Sequence, residues 1–277
     1  MKHLSLKMFL FTLPFSLMTC ASYGADIDDQ TSNESELQIV PVKPTPEPEE
    51  VELNIVYPQK GYMADELPIR FEARIDGFPV RTDSQFDRAK EIVVDPNGQS
   101  LHVIIDDKDY FEAYEALFDA LDNHDLYYNE KVDFTPPFKL TPGKHYIRMF
   151  PTRSYGESLK GQGCFVAQVF YYKTKDDKIK MNLKQPFLTY NEPQGTYPQN
   201  KPVLLDFYIS NCVLSKDGYK VRLTIDDKTK RIISTWTPYY IYGLKKGSHK
   251  IKLELISPKN ERVPGVFNTV EKLIDVN

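Results

Sequence analysis

Few residues in this 277-residue chain have the types and spacing to do chemistry. His145 and His249 recur just before matching apolar segments and could each be a metal ligand. No second His, Cys or carboxylate recurs nearby at ligand spacing. The expectation is a strand-end histidine, half buried, with one ring nitrogen hydrogen-bonded. Asp119, Asp122, Asn123 and Asp125 are oxygen donors that would suit calcium, but the spacing is not that of an EF-hand loop and its glycine is missing. A solvated acidic face is the expected reading. Trp236, Tyr239, Tyr240 and Tyr242 form an aromatic run. In a strand, Trp236, Tyr240 and Tyr242 share one face, while Tyr239 and Tyr242 have no aromatic counterpart elsewhere and are candidate glycan contacts. The polar loop from Arg153 to Glu157 reads as a surface ion pair. There is no Gly-x-Ser-x-Gly, Ser-x-x-Lys, His-Glu-x-x-His or phosphate-binding glycine loop. The sequence therefore nominates no catalytic residue, cofactor or metal, and a non-enzyme is expected.

The elements that carry these residues begin with an export signal. Lys2 and Lys7 precede the apolar run Met8–Met18, the order of a secretory signal peptide. The run is short for a bilayer span, which needs about 20 apolar residues. Leu17-Met18-Thr19-Cys20 resembles the lipobox of bacterial lipoproteins, which implies cleavage before Cys20 and acyl chains on its sulfur. The alternative is ordinary cleavage near Ala25, after Ser22-Tyr23-Gly24, giving a signal peptide within residues 1–24. Residues without an aspartate after Cys20 imply, by the same resemblance, the outer membrane; otherwise the protein is periplasmic or secreted.

Residues 26–52 carry nine acidic residues and one lysine, and their prolines and low apolar content predict a disordered tether over 25–51. The whole chain has 35 Lys and Arg against 39 Asp and Glu. Taking out the tether leaves a nearly neutral remainder, without the cationic excess of a nucleic-acid groove.

The remainder is duplicated. Ile105-Asp106-Asp107-Lys108 matches Ile225-Asp226-Asp227-Lys228. Leu-x-x-Gly-x-His-x-Ile occurs at Leu140 and again at Leu244, and Gly-x-Phe at Gly163 and Gly265. Order and spacing agree across both halves, so the chain repeats one unit. Apolar residues alternate at Val103 and Ile105, at Val221, Leu223 and Ile225, and at Leu205, Phe207 and Ile209. Period two in short segments bounded by Gly and Pro predicts antiparallel strands.

The Leu-x-x-Gly-x-His-x-Ile hairpin resembles the penultimate hairpin of immunoglobulin-like and fibronectin-III-like domains in exported bacterial proteins. The resemblance implies an all-β fold of two tandem immunoglobulin-like antiparallel β-sandwiches, over residues 52–175 and 185–277, joined by a linker at 176–184 and forming a rod. It transfers a fold rather than an activity. Cys164 and Cys212 lie in different units, where they could pair or stand as small buried residues.

The first unit carries an insertion of 16 residues within about 110–133. Phe111, Tyr114, Leu117, Phe118 and Leu121 have helical spacing, and Asp109 with Glu112 resembles a capping box, so a short amphipathic helix is expected. Inserted loops are where binding resides most often. The candidate partner contacts are Glu112, Glu115, Asp119, Asp122, Tyr127 and Tyr128, whose charge favours a basic protein partner. The function expected is a non-catalytic, exported, lipid-anchored protein-interaction module, with a glycan-binding or enzyme-accessory module as the alternative.

Overall fold

Segments in which β-branched and aromatic residues alternate with polar ones fit a pleated surface with one buried face, and they become strands here. The computed structural model describes residues 36–114, 116–117, 129–176 and 181–277. In chain order the strands are β1 (Gln38–Pro41), β2 (Glu52–Tyr57), β3 (Met63–Ala64), β4 (Phe71–Asp76), β5 (Ser100–Ile105), β6 (Phe111–Ala113), β7 (Ala116–Leu117), β8 (Asn129–Phe134), β9 (Gly143–Thr152), β10 (Val166–Tyr172), β11 (Phe187–Glu192), β12 (Gly195–Tyr197), β13 (Val203–Ser210), β14 (Lys220–Ile225), β15 (Thr229–Ile233), β16 (Tyr239–Tyr242), β17 (Gly247–Ile256) and β18 (Thr269–Val276). A single helical turn, α1 (Arg88–Glu91), is the α-helix among the described residues.

The first sandwich packs the sheet β2-β4-β8-β7 against β3-β10-β9-β5-β6. All pairings are antiparallel except β3 with β10, where Met63 lies opposite Tyr171. In immunoglobulin lettering these are strands A-B-E-D against C′-C-F-G, with strand A switching sheets through β3. Between the sheets Phe71, Ala73 and Ile75 of β4 meet Val103, Ile105, Ile147, Met149 and Phe170. The second sandwich repeats the plan. Its sheet β12-β18-β17-β14-β15 faces β11-β13-β16, and Leu205, Phe207, Val221, Leu223, Ile251 and Leu253 fill its core.

Strand D of the second sandwich comes from elsewhere. That unit lacks the insertion, and β1 occupies the place beside β16, with Gln38 opposite Tyr242 and Pro41 opposite Tyr239. Leu37 and Ile39 pack on the second core. The chain then crosses to the first sandwich, where Thr45 N–H donates to Glu157 at 2.9 Å and Lys160 N–H donates to Glu47 at 2.7 Å. The expectation of a disordered tether through residue 51 is therefore corrected from residue 38 onward. The prolines that forbid a helix also suit an extended edge strand, and Leu37, Ile39 and Val42 anchor it on buried clusters. Residues before 36, including Cys20, lie outside the described residues.

Within the described residues the expected helix is corrected too, while Phe118 and Leu121 lie outside them. Phe111–Ala113 is strand β6, which pairs with β5 through Leu101 opposite Ala113, and Ala116–Leu117 is strand β7, paired with β8. Asp109, expected to cap the helix, instead accepts a hydrogen bond from the Lys272 ammonium at 2.5 Å. Helical spacing in a short segment is a weak preference, and the open edges of two sheets override it.

The two sandwiches are not a rod of separate beads. The outer face of β5 and β9 packs on the outer face of β11 and β13. Phe150 stacks with Tyr208 at 5.7 Å between ring centroids, and Tyr146 meets Phe267 at 5.8 Å. Every residue of β5 and of β11 is buried, because each of these strands has a core on one side and the junction on the other. The expected linker joins in: Met181 and Leu183 pack on the cluster of Tyr146, Phe187 and Phe267. Cys164 and Cys212 are both free thiols.

Candidate functional site: the cleft at the sandwich junction

The matched histidines have a matched structural job. Asp106 and Asp226 end β5 and β14 with positive φ (56° and 52°), a conformation aspartate tolerates better than most residues. His145 Nδ1 lies 2.7 Å from Asp106 Oδ2, and its Nε2 lies 2.7 Å from the Thr141 carbonyl. His249 repeats both contacts at 2.7 Å, to Asp226 and to the Lys245 carbonyl. The other oxygen of each aspartate accepts the following backbone N–H, at 2.9 Å from Tyr146 and 2.8 Å from Lys250. Both nitrogens of each ring face acceptors, which favours the doubly protonated imidazolium. Burial alone would lower both histidine pKa values, but these partners raise them overall. One hydrogen-bonded nitrogen was expected, and there are two.

The junction is unusually polar beneath its rings. His102 Nδ1 lies 2.7 Å from Asn191 Oδ1, and Asn191 Nδ2 donates to Asp206 at 2.8 Å. Ser158 Oγ donates to Asp206 at 2.6 Å, and Lys160 Nζ reaches both, at 2.9 Å from the hydroxyl. A serine beside a lysine is a nucleophile's arrangement, but Ser158 and Asp206 are sealed (2% and 0% exposed), so no substrate carbonyl can approach. The cluster acts as a buried cross-tie. Arg148, stacked 3.7 Å over Phe267, is fully buried, and burial pushes its pKa down to about 9. The Arg153–Glu157 loop is likewise no simple surface pair: Glu157 is bonded by Arg88 and Thr45, while Arg153 donates to Gln99 and the Pro46 carbonyl.

Beside this junction opens a cleft of about 440 Å³, walled by both sandwiches. Tyr110, Glu112 and Asp95 come from the first, and Glu192, Gln194 and Tyr197 from the second. Glu192 sits at its base with both oxygens engaged: Tyr110 donates to one and Tyr197 to the other, each at 2.6 Å, and the Gln194 N–H adds a third bond at 3.0 Å. Burial raises the Glu192 pKa, with His102 and these donors opposing. Burial and then the Glu192 charge push both tyrosine hydroxyls well above their usual value. Gly156, with φ of +81°, leaves the space that Glu192 needs, since a Cβ there would come within 2.8 Å of the carboxylate. Tyr110 stacks on His102 with ring centroids 3.8 Å apart, and His102 Nε2 lies 3.5 Å from Glu112. Burial would raise the Glu112 pKa, but His102 pulls it below the usual value. Asp95 goes the other way, raised by burial and by Glu112, against the Asn97 N–H.

Of the residues nominated from sequence, Glu112 lies in this cleft. The side chains of Glu115, Asp119, Asp122, Tyr127 and Tyr128 lie outside the described residues, as do Asn123 and Asp125. Tyr239 faces the second core and is buried, which corrects its assignment as an exposed glycan contact. Tyr242 is exposed (41%) but stands on the opposite face, beside Tyr240. Residues three apart in a strand point to opposite sides, so this pair cannot flank one ligand. Trp236 sits outside the strand; its indole N–H donates to the Phe207 carbonyl at 2.9 Å.

Sequence reasoning missed Glu192, Tyr110 and Asp95 as a group. A signal existed in the repeat. Tyr57-Pro58-Gln59 and Glu192-Pro193-Gln194 are equivalent, each following a register shift in strand A. The first copy exposes a tyrosine (39%) where the second buries a carboxylate.

No family model matches the sequence, and no curated protein does. Among solved structures, the fibronectin(III)-like modules of Clostridium thermocellum CbhA align over 81% of this chain and 94% of theirs, with 11% identity and a TM-score of 0.27. The SGBP-B protein of the Bacteroides ovatus mixed-linkage glucan utilization locus, solved with a mixed-linkage heptasaccharide, aligns over 82% of this chain and 60% of its own, with 11% identity and a TM-score of 0.23. CBD12 from CALX1.2 aligns over 82% and 100%, with 8% identity and a TM-score of 0.19. Scores this low carry no argument about ligand or activity, and the fold assignment rests on the strand order itself.

Proposed function

We propose that this chain is a non-catalytic binding protein of the cell envelope that holds its partner at the cleft between its two sandwiches. The observation that supports it is the cleft's construction: a 440 Å³ concavity whose walls come from both repeats, with the buried Glu192 fixed at its base by Tyr110 and Tyr197. Binding sites concentrate at such inter-domain concavities, where a few placed polar groups set orientation. The partner is a protein, and the insertion that starts at Tyr110 is its second point of contact. Export rests on Lys2, Lys7 and the apolar run, and acylation of Cys20 would hold the protein at the outer membrane.

Two experiments test this reading. Capture from envelope extract compares the wild type with Thr196→Trp, which fills the mouth of the cleft from an exposed position, and with Tyr242→Ala, which lies outside it. A partner lost from the first variant and kept by the second is the expected result; equal recovery from all three removes the cleft from the proposal. Labelling cells with radioactive palmitate, beside Cys20→Ala, tests the anchor, and an unlabelled wild type leaves a soluble exported protein.

A further inference from the structure

In the wall that the first sandwich gives to the cleft, two pieces of chain meet side by side. One is the loop after α1, through Val93, Asp95 and Pro96; the other is β6 with Glu112. The loop is anchored at its ends. Ile92 is buried with Tyr155, Leu204 and Tyr240, the Asp95 N–H donates to the Ser154 carbonyl at 2.6 Å, and the Gly98 N–H donates to the Asp95 carbonyl at 3.1 Å. β6 is a three-residue edge strand held by its pairing with β5. Side chains join loop to strand. The Asn97 amide donates to Asp95 Oδ1 at 3.0 Å and to the Tyr114 hydroxyl at 3.2 Å, and that hydroxyl donates to Glu112 at 3.4 Å. Asp95 and Glu112 are also hydrogen-bonded to each other. No N–H or hydroxyl reaches the buried Asp95 Oδ2. Ionised carboxylates only accept, so a bond between two carboxyl groups requires that one keep its proton. Burial raises the Asp95 carboxyl above its usual value; the Asn97 N–H opposes and Glu112 raises it further. Glu112 stays below its usual value despite burial, because His102 and then Asp95 favour its charged form. Asp95 is therefore the member that holds the proton.

We infer that Asp95 and Glu112 form a pH-sensitive clasp, which ties the loop after α1 to β6 through one shared proton and lets go when that proton leaves. The surroundings favour release. His102 of β5 lies 3.5 Å from Glu112, the hydroxyls of Tyr110 and Tyr114 stand nearby, and Arg81 lies 5.9 Å over the Tyr114 ring. Glu192 brings a third carboxyl to the cleft from the second sandwich, and no Lys or Arg lines it. A second ionisation thus sets two like charges in contact without a cationic side chain of that kind to offset them. Because Asp95 is raised in the folded state, the clasp is complete below the ordinary aspartate value of about 3.9. It is lost as pH rises through the folded value of the pair. Release frees Val93–Asn97 from β6 and loosens one wall of the cleft. The clasp acts as a gate on binding where the cleft is the binding site; its own opening does not depend on that reading.

Amide hydrogen exchange on the intact protein, followed from about pH 4 to about pH 8 with the intrinsic pH effect divided out, tests the clasp. The Asp95, Gly98 and β6 amides are expected to lose protection as pH rises, by roughly tenfold for each unit by which the pair is raised, while β9 amides hold. Asp95→Asn and Glu112→Gln each set a permanent amide donor against the remaining carboxylate, and Asp95→Asn keeps the acceptor that Asn97 uses. Either variant is expected to abolish the pH dependence, so one suffices where the other does not fold by near-UV circular dichroism. Protection that stays constant with pH in the wild type overturns the clasp. A slope that persists in a folded variant overturns it too, since a purely structural contact would change the level of protection and not its slope. Titration of the two carboxyl carbons by NMR gives a second readout. Coupled, two-step curves are expected, and independent single steps near the ordinary values overturn the shared proton. Neither readout uses a partner, so failure of the clasp leaves the cleft standing as a binding site, and the converse holds.

Discussion

The two sandwiches are copies of one plan that solved the same problem differently. Each needs a strand D to cover the edge of its strand E. The first grows one in place, β7 within its insertion. The second borrows β1 from nearly 200 residues earlier in the chain, as the pairing of Val40 with Tyr240 shows. The difference teaches that this edge is the weak point of the unit. An uncovered strand exposes unpaired N–H and C=O groups and part of the core, so covering is required and its source is free. The borrowed solution has a consequence the local one lacks. By crossing from β16 to Glu157 and Lys160, the N-terminal segment ties both sandwiches together.

A second contrast lies in which faces are used. The first sandwich offers its five-stranded sheet to the junction and the second its four-stranded sheet. Equivalent positions therefore meet different surroundings, and Tyr57 and Glu192 diverged accordingly.

The comparison is broken most severely at the junction. Phe150 is completely buried there, though its strand position would be a solvent face in an isolated sandwich. Phe150→Ala should destabilise the whole protein by about 3–5 kcal/mol in urea unfolding, the cost of a large core truncation. A cost below about 1 kcal/mol would mean that the sandwiches fold as independent beads.

A middle-sized effect compares the repeated aspartates. Asp106 is nearly buried, whereas the Asp226 side chain is 37% exposed. Asp106→Ala should cost roughly 2–3 kcal/mol, because it strands a buried ring and a backbone N–H. Asp226→Ala should cost about 1 kcal/mol, since water can replace its bonds. Equal losses would refute the ranking by burial.

The smallest effect is on pH. His145 and His249 are raised in the folded state above the unfolded value of about 6.5. Their contribution is complete below that value and is lost as pH rises through their folded pKa values. Chemical denaturation midpoints should therefore decline above about pH 6.5, and His145→Gln with His249→Gln should flatten the decline. An unchanged slope in the double variant would assign it to other groups.

The repeat, the strand class and the paired histidine motifs were legible in the sequence because each depends on local pattern. Alternation marks strands, and Gly-x-His marks the start of β9 and of β17, whereas the contact of each histidine with an aspartate far earlier in the chain is set by the pairing of non-consecutive strands. The helix expected at Phe111 failed because its residues satisfy two periodicities, and only the open edges of β5 and β8 choose between them. The reading of residues 36–51 as a tether failed because composition reports what a segment can bury alone, not what an edge 200 residues away offers it. Glu112 could be nominated from charge, but its neighbours Asp95 and Glu192 lie far apart in sequence and come together where two sandwiches pack.

The sequence by itself determined a duplicated unit of β-strands, since strand propensity and period act over a few residues. Tertiary structure decided which sheet faces meet, where strand D comes from and that three carboxylates share one cleft. Those outcomes depend on long-range burial, and burying both faces of β5 and β11 turns residues that alternation marks as solvent-facing into a second core.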